Sequence, residues 1–183
     1  MQEVAQTPLA AWQNFYVIVG SSSAALTGLQ FVVIALVADL KRRSTAQEID
    51  AFGTPTVVYF STVLLVSAIL TAPWQVPSNA SLAIGGCGTA GLIYCAVIIK
   101  RLRRLSTNQV MLKEEWLWYI LLPLIGYALL LIAAVMLPGY PRRVTFLIGF
   151  TVLLLLFVGI HNAWDTVTFI AVSFKGENSS EPD

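Results

Sequence analysis

Five apolar stretches, each about as long as a bilayer is thick, recur along the chain with only short polar breaks between them. At the 1.5 Å rise of an α-helix, about 20 apolar residues cross the hydrocarbon core. The stretches cover residues 15–38, 56–76, 81–99, 116–137 and 144–170. A segment in lipid must satisfy its own backbone N–H and C=O groups, and for a single stretch of this length the helix does so. The expected fold is therefore all-α. It is one domain over residues 1–175, an integral membrane bundle of five transmembrane helices, followed by a polar, acidic tail at 176–183 that is expected to be disordered.

Composition points the same way. Hydrophobic residues make up 57% of the chain and charged residues 11%, where a soluble domain carries about 25% charged residues. Lipid can cover such a surface and water cannot. The net charge of +1 gives no case for a nucleic-acid partner. Cys87 and Cys95 are eight residues apart, which is neither a redox pair nor a zinc motif. On one helix their Cα atoms lie about 12 Å apart, beyond disulfide reach, so both are read as small packing residues. The first 13 residues hold no Lys or Arg, and the first apolar stretch is too long for a signal h-region. It is expected to be retained as span 1.

Orientation follows from the basic residues. Nine of the eleven Lys and Arg fall in the 1–2 loop (Lys41, Arg42, Arg43), the 3–4 loop (Lys100, Arg101, Arg103, Arg104, Lys113) and the C-terminal segment (Lys175). Only Arg142 and Arg143 lie on the other side. This bias places the N-terminus outside and the C-terminus in the cytosol, as an odd number of spans requires. Trp12, Phe15, Tyr16 and Trp74 are expected at the outer interface, and Trp116, Trp118 and Tyr119 at the inner one. Pro55 suits the first turn of span 2, and Pro123 is expected to bend span 4.

Small residues mark span 1, where Gly20, Ala24, Thr27, Phe31, Ala35 and Ala38 share a helical stripe with Gly28 beside it. Span 3 repeats the theme with Gly88 and Gly91. Small residues let helix backbones approach closely in lipid. Gly20, Ala24, Gly28, Gly88 and Gly91 are thus the candidate packing residues, for a seam between spans 1 and 3 or between subunits. In span 2, Thr56, Ser67 and Thr71 lie within about 60° of one another on the helix, and such hydroxyls usually bond carbonyls of their own helix.

The sharpest polar feature is His161-Asn162-Ala163-Trp164-Asp165 in span 5. His161 and Asp165 stand at i,i+4 and face one way. An ionisable group at membrane depth defaults to a functional reading, and histidine exchanges protons near neutral pH. Depth argues for a plainer role: from Val144 to Asp165 is about 31 Å of helix, which reaches the inner boundary. Asp39 of span 1 reaches the same level, so Asp39 and Asp165 are expected to pair with Lys100, Arg101 or Arg43 in an ion belt. Gln30, in the inner half of span 1, needs a hydrogen-bond partner inside the bundle. His161, Asn162, Asp165, Asp39 and Gln30 form the candidate polar cluster. The chain holds no second histidine for a metal pair and no nucleophile, zinc or phosphate-binding motif; no cofactor and no enzymatic activity are expected.

The run Trp12-Gln-Asn-Phe15-Tyr16 to Gly20, followed by Ala24-Ala-Leu-Thr27-Gly28-Leu-Gln-Phe31, resembles the opening of small bacterial multi-pass integral membrane proteins, and His161–Asp165 is similar to a segment near their C-termini. The resemblance implies residence in the bacterial inner membrane and brings no activity or ligand with it. Three functions remain open. The first is an oligomeric channel-like protein for an ion or small solute. The second is a non-enzymatic partner that grips itself or another membrane protein through small-residue faces. The third and weakest is a membrane-embedded enzyme using His161 and Asp165.

Overall fold

The computed structural model describes residues 9–40, 46–74, 76–105 and 116–178, with side chains for 9–35, 55–74, 76, 78–101 and 116–168. Among these residues every element is helical. A 3-10 turn at Ala10–Trp12 leads into α1 (Gln13–Leu40). Then come α2 (Ala46–Thr71), α3 (Pro77–Leu105), a π-turn (Leu117–Leu121) running into α4 (Leu122–Met136), and α5 (Pro141–Asn178). Four stretches are long and apolar enough to cross a membrane: Ala10–Ala35, Ser78–Arg101, Leu117–Met136 and Pro141–Thr168. The fifth, Pro55–Thr71 of α2, is shorter.

Several helix ends differ from the expectation. Pro55 lies inside α2 rather than in its first turn, so the carbonyl of Ala51 loses its usual N–H donor. Pro123 is the second residue of α4, directly after the π-turn. The wider turn ahead of the proline is where this helix absorbs the bond that Pro123 cannot make. α5 runs on to Asn178 and takes in the start of the segment expected to be a disordered tail. Residues 179–183 lie outside the described residues, as do Lys41, Arg42, Arg43 and Lys113.

Successive helices run antiparallel, and α5 is the shared element. Over an 18-residue apolar run of α5, 56% of the residues are buried, against 22% for the corresponding runs of α1 and α3. α1 packs on α2, α3 packs on α4, and α5 joins the two pairs through α2 and α4. Thus α1 and α3 flank opposite sides, and the expected seam between spans 1 and 3 does not form. Each glycine-bearing helix uses its small residues against another neighbour. A Cβ at Gly20 would lie 2.9 Å from Cβ of Ser67 on α2. A Cβ at Gly88 would lie 3.0 Å from the backbone nitrogen of Leu131 on α4, and one at Gly91 would overlap the Tyr127 ring. Ala24 and Gly28 point outward, and Gly28 has no atom within 4 Å of where a Cβ would be.

Hydroxyls are mostly satisfied within their own helix. Thr27, Thr62, Thr89, Thr151 and Thr166 each donate to the carbonyl four residues back at 2.8–2.9 Å. Thr71 of the span-2 trio does the same to Ser67 O at 3.1 Å. That pattern is what an apolar environment asks of a hydroxyl. The links between helices are few and specific. Ser23 Oγ donates to Phe60 O at 2.7 Å, Tyr16 Oη to Thr145 O at 3.3 Å, and Tyr59 Oη to Tyr119 O at 3.4 Å. Thr62 Oγ1 and Tyr127 Oη share a bond at 3.1 Å. Tyr16 is therefore a fully buried core residue rather than an interfacial anchor.

Replacing Gly91 by Ala forces the Tyr127 ring aside and strains its bond to Thr62. The change should cost about 1–3 kcal/mol of stability, measured by reversible unfolding in detergent. Gly91→Ala combined with Tyr127→Leu should recover part of the loss. Gly86→Ala, where a Cβ meets nothing within 4 Å, serves as the neutral control; equal loss in both single variants would contradict this packing.

Candidate functional site

His161 and Asp165 occupy adjacent turns of α5, and His161 Nδ1 lies 3.2 Å from Asp165 Oδ2. The two atoms lie close together without a hydrogen bond of acceptable alignment. Trp118, from the π-turn ahead of α4, stacks on the imidazole with ring centroids 3.8 Å apart and planes 6° from parallel. The side chains of His161 and Asp165 are 34% and 43% exposed. The pair therefore sits on the outside of the bundle, pinned by Trp118, and does not line an interior path. Trp118 is thus the group that orients His161. Its stacking fixes the ring plane.

Asn162 turns the other way. It is completely buried, and neither its amide oxygen nor its amide nitrogen has a partner. Thr166 Oγ1 donates to its backbone carbonyl at 2.8 Å, which leaves the side chain unserved. An unpaired buried amide costs about 1–3 kcal/mol. Gln30 is the counterpart on α1: it is 4% exposed and its Nε2 is unpaired. Among the described residues no partner meets Nε2, where the sequence led us to expect one inside the bundle. Asp39 belongs to α1, but its side chain and those of Arg103 and Arg104 lie outside the described residues. Lys100 and Arg101 are exposed, and among the described residues Asp165 contacts His161 rather than either of them. Arg43, the third partner expected in the ion belt, lies outside the described residues. The structure thus brings His161 and Asp165 together and leaves Asn162 and Gln30 as separate buried amides.

Phenols between α2, α3 and α4 form a second polar group that sequence reasoning missed. The rings of Tyr59 and Tyr127 are 6.4 Å apart, Tyr59 Oη donates to Tyr119 O, and Thr62 Oγ1 shares a bond with Tyr127 Oη. Only Tyr127 lies well inside its span; Tyr59, Tyr94 and Tyr119 fall within five residues of a span end, where an interfacial role accounts for them and hides the group. Cys87 and Cys95 are free thiols, and among the described residues no three His, Cys, Asp or Glu side chains gather as a metal would need.

No family model, curated protein or solved structure matched the chain when it was compared with all three kinds. Its geometry alone carries the functional reading.

Because both amide atoms of Asn162 are unserved, Asn162→Leu should leave the thermal midpoint unchanged or raise it, while Trp118→Ala should lower it by releasing the imidazole. Scanning calorimetry or fluorescence in detergent reads both. A marked fall with Asn162→Leu would show that the amide holds a partner such as buried water.

Proposed function

We propose that the chain is an integral protein of a bacterial plasma membrane that threads the bilayer five times, N-terminus outside and C-terminus in the cytosol. We further propose that it works as an assembly of identical subunits with a path for an ion or small solute between them. The observation that carries this reading is the outward face of α1. Ile18, Ser21, Ala25, Gly28, Val32 and Ala35 follow one another at alternating spacings of three and four, and all six are exposed. This is the seam spacing of a left-handed helix pair, built mainly of small residues that let backbones approach in lipid. The path belongs between subunits because Tyr59, Phe60, Val63, Tyr127, Leu130 and Leu155 fill the subunit's middle at 1% exposure or less. Antiparallel alternation sets α1, α3 and α5 parallel, so Lys100 and Arg101 stand at the end where α1 finishes. The positive-inside rule puts that end in the cytosol.

A second reading, a non-enzymatic partner that uses the same face, has one observation in its favour. Ser22 donates to its own helix at Ile18 O, 2.9 Å away, so this part of α1 needs no water.

Oxidative cross-linking in membranes decides between these. In a variant with Cys87 and Cys95 replaced by Ala, Gly28→Cys should form disulfide dimers, and Val135→Cys on α4, equally exposed to lipid, should not. The reverse pattern would discard the α1 seam. With the seam established, His161→Ala or Asp165→Asn should alter conductance of reconstituted liposomes or its response to pH. Cross-linked protein with no conductance at all would favour the partner reading. A reporter fused after Asp183 should be active only as a cytosolic form; activity outside would reverse the topology.

A further inference from the structure

We propose that a slot between α1 and α5 holds one acyl chain of a membrane glycerolipid, with the chain's ester carbonyl accepting a hydrogen bond from Gln30 Nε2. The proposal rests on membrane residence as argued above, and its test keeps the two apart.

The slot measures about 230 Å³. It runs from Leu26 to Val33 on α1 and from Ile160 to Val167 on α5, over Phe60 of α2 as its floor. Both helices point the same way, so the slot follows the helix axes for seven residues on each side, about 10 Å. Its mean cross-section is then about 20 Å², which suits a single extended hydrocarbon chain and excludes a bulky ring system. Ligand pockets for compact molecules are larger, about 300–1,000 Å³. The walls are apolar apart from one group. Gln30 lines the slot, is 4% exposed, and its Nε2 donor has no partner. Nε2 is sealed from water beside the slot, and turning the amide toward an occupant would give it one acceptor carried by an otherwise apolar molecule, which describes an esterified acyl chain.

Position within the bundle agrees with this occupant. Gln30 lies on the half of α1 nearer its C-terminal end, one turn short of Val33. A lipid of that leaflet would place its carbonyl beside Gln30 and its first methylenes toward Leu26, with the headgroup leaving past Val33. Trp164 at the rim is exposed, as is Leu29 opposite, so the slot is open sideways and a chain can enter from the bilayer. Phe60 closes the floor because it rests on α5 where Gly159 has no side chain: a Cβ there would lie 2.5 Å from the Phe60 ring.

The test uses the full chain extracted from membranes in mild detergent and washed. Lipid phosphate and lipid mass are counted per subunit in wild type, Gln30→Leu and Ala163→Phe; Ala163 lines the α5 wall, so the larger side chain fills the slot. Wild type should retain one phospholipid per subunit. Gln30→Leu, which keeps an apolar side chain in place, should release it about tenfold faster, as loss of one hydrogen bond implies. Ala163→Phe should retain none, and circular dichroism should show all three equally helical. Equal retention in the three proteins would overturn the proposal. So would a quinone or free fatty acid in place of phospholipid, bound detergent alone, or a second subunit cross-linking through residue 163. Purification as a soluble monomer without detergent would instead bring down membrane residence itself.

Discussion

The bundle depends on aromatic rings lying directly against helix backbone where glycine leaves room. α5 offers two such places: a Cβ at Gly149 would come within 2.8 Å of the Trp12 ring, and Gly159 receives Phe60. Tyr127 rests on α3 at Gly91 in the same way. In water, such contacts would add to a hydrophobic drive that already exists. In lipid, the tails are as apolar as the side chains, and close van der Waals packing becomes the main source of helix association. Hence the arrangement of the five helices follows the glycines that take rings, and α5, with two of them, becomes the helix around which the others gather.

The number and kind of elements were legible because each apolar stretch is long and bounded by charge or proline. Partners were not. The small-residue stripe Gly20-Ala24-Thr27 was read as one face, but helix α1 buries Tyr16, Val19, Gly20, Ser23 and Gln30, a stripe rotated so that Ala24 and Gly28 face out. A pattern of small residues states where a backbone can be approached and does not say by what. The missing information was the shape on the other side: Ser67 complements Gly20, and the Leu131 backbone and Tyr127 ring complement Gly88 and Gly91. Likewise Pro55 read as a helix start because the charges before it resemble a loop, whereas α2 simply carries its charged turns ahead of its apolar ones.

The polar residues divide by a rule that sequence spacing hid. Spacing correctly joined His161 to Asp165, since i,i+4 contact needs only one helix. It could not show that Trp118 would hold the imidazole from a neighbouring element, nor that Asn162, the very next residue, would point into the core. A step of one residue turns a helical side chain by about 100°, so a run of adjacent polar residues cannot share a single face. His161 and Asp165 are peripheral and mutually supported, while Asn162 is central and unserved.

This division bears on what the cluster can do. A proton relay needs consecutive groups joined by hydrogen bonds, and His161 and Asp165, 3.2 Å apart without that alignment, do not supply such a step in this arrangement. The phenols around Tyr59 form a second set, linked by Tyr59 to Tyr119 and by Thr62 to Tyr127. Trp118 and Tyr119 are neighbours in the π-turn: the indole of one stacks on His161 and the carbonyl of the other accepts from Tyr59. An i+5 turn adds a residue without adding a bond, and it is placed where it lets consecutive residues serve an outer pair and an inner one. The π-turn, residues 117–121, is therefore the physical joint between the peripheral pair and the buried phenols.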